Sequence, residues 1–147
     1  MGTNRFTLEP VLSHRKFLEE LLQKELAVCG RLLTKRKKKL EILVKKKDEL
    51  LRELQHKQRE SATISETLLY IGFVEQLYED IKKQKADVFE SENQLEKKRV
   101  DLTEALKKRK ALEKLREKAS QTFREEMLKN DLDVLNEVAI SRFNMRM

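Results

Sequence analysis

The sequence predicts an all-α fold, a long antiparallel two-helix coiled-coil hairpin with a short C-terminal helical extension, and three observations predict it. From Leu22 to Leu54 the positions Leu22, Leu26, Cys29, Leu33, Arg36, Leu40, Leu43, Lys47, Leu50 and Leu54 recur in alternating steps of four and three, the seam of a helix that winds around another. A second seam runs through Tyr70, Val74, Leu77, Ile81, Gln84, Val88, Ser91, Leu95, Lys98, Leu102, Ala105, Arg109, Leu112, Arg116, Ala119 and Phe123. Between the two, Ser61-Ala62-Thr63-Ile64-Ser65-Glu66 breaks the repeat, so the partner helix is expected within the same chain.

Facing positions of an antiparallel hairpin have residue numbers that add to one constant. Leu54 with Tyr70, Leu50 with Val74, Lys47 with Leu77, Leu43 with Ile81, Leu40 with Gln84, Arg36 with Val88, Leu33 with Ser91, Cys29 with Leu95, Leu26 with Lys98 and Leu22 with Leu102 all share the same constant. Two heptad seams always admit some matching register; this one centres the turn on residue 62, where the sequence independently breaks. In it each polar seam residue faces an apolar partner whose surface its aliphatic stem covers.

The elements come in order within a single coiled-coil unit, residues 1–147. Thr7 is placed to cap a first helix over residues 7–60, with Pro10 early enough that its missing N–H costs little. Before Leu22 the repeat loses phase, and continuing the register sets Arg15 against Arg109, so this open end is expected to splay or to be held by something else. Residues 61–65 form the turn, and Thr63 with Glu66 stands at capping-box spacing for a second helix over 64–129. Asn130 and Asp131 are expected to interrupt it, and a short terminal helix over 132–145 carries Leu132, Leu135, Val138, Ala139 and Phe143 on one side. In this register Leu115 faces Glu9, so the chain beyond about Arg116 overhangs the first helix. The apolar residues of this overhang, Phe123, Met127, Leu128, Leu135, Val138 and Phe143, are expected to fold back or to enter a partner, because such a patch is costly in water.

With 40% charged residues, 5% aromatics, three glycines and one proline, the chain has no material for a thick globular core. The net charge of +7 is lopsided, residues 1–60 carrying 16 basic and 9 acidic side chains. The runs Lys35–Lys39 and Lys45–Lys47 do not make a nucleic-acid stripe: five consecutive helical residues wrap the helix, and no aromatic side chain interleaves them to stack on bases. The lone Cys29 is expected to serve as a small core residue, and its solitude fits a reducing compartment such as the cytoplasm. No apolar run approaches the roughly 18 residues of a membrane span, and the opening MGTNRFTLEP has no hydrophobic signal region. A soluble protein without direct membrane insertion is expected.

No glycine-rich phosphate loop and no Cys/His cluster is present, and His14 and His56 stand far apart on one helix. Two helices offer no concave pocket in which to desolvate a catalytic group, so no enzymatic activity, metal or cofactor is expected. Only surfaces remain as functional candidates. Phe73, Leu77, Asp80 and Gln84 form an i, i+4, i+7, i+11 stripe near the turn, with Leu43, Lys46 and Leu50 on the neighbouring helix at the same height. An aromatic anchor among aliphatics is either a docking patch or the edge of the core, and spacing alone does not decide between them.

The chain resembles the FliJ family, small stalk proteins of the bacterial flagellar type III export apparatus. The resemblance covers essentially the whole length. It rests on Phe6, Leu8, Val11, Leu12 and Arg15, the lysine-rich heptad hairpin, Tyr70 and Phe73 after the turn, the stretch Leu112-Glu113-Lys114-Leu115-Arg116-Glu117-Lys118, and the closing Leu135-Asn136-Glu137-Val138-Ala139 with Arg142. It implies a hairpin similar to the central stalk of rotary ATPases, with its open end in the hollow of the hexameric export ATPase FliI and its other half reaching the export gate protein FlhA. Escort of export chaperones and a cytoplasmic place, peripheral to the inner face of the membrane at the flagellar base, are implied as well.

The family's gate-facing positions fall here on Leu43, Lys46, Leu50, Phe73, Leu77, Asp80 and Gln84; Lys46 and Leu50 stand where some relatives carry tyrosine, and Asp80 and Gln84 also differ. Ring contact is expected from Leu8, Leu12, Leu115, Phe123, Leu135 and Phe143, and the basic band from Lys35 to Lys47 is expected to bias the chain toward an acidic gate or ring surface. Two other readings stay open: the equivalent stalk of a virulence-type injectisome, and an unrelated structural coiled coil formed by a parallel homodimer.

Overall fold

The computed structural model describes residues 6–146 and contains two helices, α1 (Glu9–Arg59) and α2 (Ile64–Arg146). They pack against each other within one chain, as the hairpin reading expects. Every seam position from Leu22 to Leu54 and from Tyr70 to Phe123 is buried or half-buried, as a period of three and four demands of a helix with one protected face. Contacts cluster into two compact units, Leu22–Leu102 and Met1–Leu21 with Thr103–Met147. A helix pair has no third layer, so each side chain meets only neighbours within a turn or two.

The unit Leu22–Leu102 contains the turn. Ser61 has φ of 64°, and the Ala62 N–H donates to the Lys57 carbonyl at 3.0 Å, the long return bond that closes a helix through a left-handed residue. A serine there carries strain that glycine lacks, so Ser61→Gly is expected to stabilise the protein by about 1 kcal/mol, read as a rise in the thermal midpoint followed by circular dichroism. On the other side of the turn the Glu66 N–H donates to the Thr63 hydroxyl at 3.2 Å, one of the two bonds of a capping box, and α2 starts at Ile64.

Leu33, Val74, Ile81 and Val88 are the buried aliphatics of this unit, each contributing about 1.5–3 kcal/mol relative to exposure. The expectation that polar seam residues meet only apolar partners fails in the middle. The Arg36 guanidinium donates to the Ser91 hydroxyl at 2.7 Å and to the Asp87 carbonyl at 3.0 Å, and the Gln84 amide donates to the Arg36 carbonyl at 3.0 Å. Gln84 and Ser91 are 4% and 1% exposed, so these bonds satisfy groups that water does not reach. The reason for the miss is reach: an arginine spans a full turn of its neighbour and finds the next polar seam residue. Lys98 likewise finds Glu25 at 2.7 Å; that hydrogen bond holds its ammonium above the usual lysine range. The stability that this lysine shift contributes is therefore present below the ordinary lysine pKa and is lost as pH rises through the raised value.

In the other unit α1 begins at Glu9 and not at residue 7, with the Glu9 N–H donating to the Phe6 carbonyl at 3.1 Å and Pro10 in the first turn. The end where Arg15 would face Arg109, expected to splay or to be held by something else, is held by ion pairs within the unit. Arg109 donates instead to Glu19 and, at 2.9 Å, to Glu113, and these carboxylates hold its guanidinium above even its usual high range. Glu19 is 8% exposed and Leu12 is 0% exposed. Lys16 to Glu113 at 4.0 Å and Arg116 to Glu9 at 3.2 Å continue the series, so long side chains reaching along the partner convert an expected repulsion into alternating charge.

The expected break at residues 130–131 is also absent: α2 runs unbroken to Arg146, and no separate terminal helix exists. Asn and Asp cap helices readily but cost less than about 0.7 kcal/mol inside one, and no glycine or proline comes after them to enforce a stop. Nor does this stretch fold back, since every residue from Arg124 to Arg146 is exposed.

Candidate partner-docking surfaces

In the unit Leu22–Leu102, the meeting of α1 and α2 near the turn leaves a groove of about 460 Å³ lined by Lys46, Glu49, Leu50, Glu53, Phe73, Gln76, Leu77 and Asp80. It forms because Phe73 lies one residue before the buried seam position Val74, which turns its ring to the flank of the pair and leaves it 54% exposed. Leu50 and Leu77 are seam residues whose outer edges supply the apolar floor. The structure thus brings together Lys46, Leu50, Phe73, Leu77 and Asp80 of the predicted stripe. Leu43 is half-buried and does not line the groove. Gln84 is withdrawn from any surface, its amide spent on the Arg36 carbonyl. Glu49, Glu53 and Gln76 join the groove without having been expected from the sequence; each lies three residues after a predicted member (Lys46, Leu50, Phe73) and so shares its face.

The second surface belongs to the unit that holds the chain's two ends. Of the six predicted ring-facing residues, Leu12 is fully buried and serves the core. Phe123 is half-buried, whereas Leu8, Leu115, Leu135 and Phe143 are 38%, 49%, 63% and 60% exposed. Leu115 lies in an open groove of about 570 Å³ with Ala111, Lys114, Glu117, Lys118 and Gln121. Further along, Leu128, Leu132, Leu135, Ala139 and Phe143 succeed one another in steps of four, three, four and four. At 100° per residue they share an arc of about 80°, and all five are exposed. Leu132, Val134 and Ile140 are exposed here too; the last two lie off the main face.

Among the described residues no group of three or more His, Cys, Asp or Glu side chains is placed to hold a metal ion. His14 is exposed, and His56 faces Glu60 at 3.2 Å on the outside of α1. No described helix is long and apolar enough to cross a membrane. The geometry offers recognition: an aromatic-floored groove with a charged rim, and an exposed apolar helix face.

A family model described as "Flagellar FliJ protein" matches residues 4–147. No curated protein and no solved structure matches the chain.

Proposed function

This chain belongs to the FliJ family and is a component of the flagellar protein export apparatus, and from that premise we propose that it is the non-enzymatic central stalk of the export ATPase. In this reading the C-terminal part of α2 enters the hollow of the FliI hexamer, the groove at Phe73 engages the gate protein FlhA, and the same helix pair helps escort export chaperones. The chain then works in the cytoplasm, held at the inner face of the membrane by its partners.

The observation that carries the proposal is the exposed apolar face from Leu128 to Phe143, on a stretch whose residues are all exposed. A face of that length on a helix without a neighbour is the signature of a segment that a partner covers. A ring is a suitable partner because it surrounds a helix, and this helix has apolar residues off the main face as well, at Val134 and Ile140. The virulence-system reading draws no support from the family match. The test is stimulation of ATP hydrolysis by the purified hexamer on adding the full chain, and its loss when the face is made polar.

A further inference from the structure

We infer that the groove at Phe73 is a slot for an apolar side chain flanked by lysine or arginine on the partner, and hence that the gate presents a basic surface to this chain. The inference rests on the gate reading above and names the chemistry of that contact. Leu50, Phe73 and Leu77 give the groove an apolar floor, while its rim holds the carboxylates of Glu49, Glu53 and Asp80 against the single ammonium of Lys46. The rim is therefore acidic although the chain carries +7 and the first helix carries the excess.

The carboxylates are also without a cation of their own. Glu41 and Asp48, nearby on α1, each pair with a lysine. Among the described residues, by contrast, no lysine or arginine stands at ion-pairing distance from Glu49, Glu53 or Asp80; Asp80 accepts the Gln76 amide, at 3.1 Å. Two cations of the same stretch of α1 are engaged elsewhere, Lys47 lying 5.5 Å over the Tyr78 ring and Lys57 5.3 Å over the Tyr70 ring. Charge on the rim of an interface sets approach and partner choice more than it sets the final affinity. Three carboxylates around an apolar floor reject an acidic partner and admit a basic one. The basic runs Lys35–Lys39 and Lys45–Lys47 do not reverse this, since only Lys46 of them reaches the groove.

The experiment measures binding of the full chain to the purified cytoplasmic region of the gate protein from the same organism, at low and at high salt. The variant Glu49→Gln/Glu53→Gln/Asp80→Asn, with the first two positions exposed and Asp80 half-buried, is expected to bind roughly tenfold more weakly at low salt, with the difference closing at high salt as the charges are screened. Lys46→Gln is expected to bind more tightly, and Phe73→Ala more weakly at both salts. If the triple variant binds as well as the unaltered chain or better, while Phe73→Ala still weakens binding, the basic-partner inference is overturned and the gate reading stands. If the unaltered chain does not bind at all, the gate reading falls and takes the inference with it.

Discussion

Replacing Leu128, Leu135 and Phe143 together with glutamine is expected to abolish stimulation of the export ATPase while leaving the helical content of the chain unchanged. The three side chains are 63%, 63% and 60% exposed, so the folded chain on its own loses no packing when they become polar. Glutamine is a good helix former, which keeps α2 intact. At an interface the same side chains act as anchors. Each lost anchor costs about 2 kcal/mol or more, and three together, about 6 kcal/mol, lower affinity by more than about ten-thousandfold. Measured as ATP turnover against added stalk, the triple variant should trace the curve of the ATPase alone. Full stimulation by the triple variant would show that the face has another purpose.

Leu12→Ala has the opposite profile. Leu12 is 0% exposed, and truncating a buried leucine removes its transfer energy and leaves a cavity, about 2–5 kcal/mol in all. A helix pair can close part of that gap, so the lower end applies, and the thermal midpoint should fall by on the order of 8 °C. Leu135→Ala should leave the midpoint within about 2 °C, since no buried area is lost. Thermal melts followed by circular dichroism separate the two. A Leu12→Ala chain that melts with the unaltered one would return Leu12 to the partner contacts from which its burial removes it.

The parts of this molecule visible in the sequence were those set by period. Alternating steps of three and four identified both seams, and each of those positions is protected from solvent. Thr63 and Glu66 marked the start of α2 because a capping hydroxyl needs a fixed offset from the amide it receives. Features set by reach and by context escaped. Arg36 to Ser91, Lys98 to Glu25 and Arg109 to Glu19 each connect positions up to about a turn away from those the register pairs, and a rule that matches α-carbons by number says nothing of where a long side chain ends.

Asn130 and Asp131 were misread because the same residues that stop helices are tolerated within them; only flanking glycine or proline makes the stop binding, and none is there. At the groove, the stripe through Phe73 was legible from spacing. Its acidic rim was not, because the pairing state of Glu53 depends on where Lys57, four residues on, turns, and Lys57 lies over the Tyr70 ring.

The central claim is that the exposed face of α2 is covered by the ATPase ring, and the most direct measurement is a photo-crosslink. A benzophenone amino acid placed at Leu135, in the otherwise unaltered chain mixed with the hexamer, should yield on illumination an adduct of one stalk with one ATPase subunit. The same label at Phe89, which is 65% exposed on the other unit, should yield none. Adducts from Leu135 only to a second copy of this chain, or equal ATPase adducts from Phe89, would contradict the account.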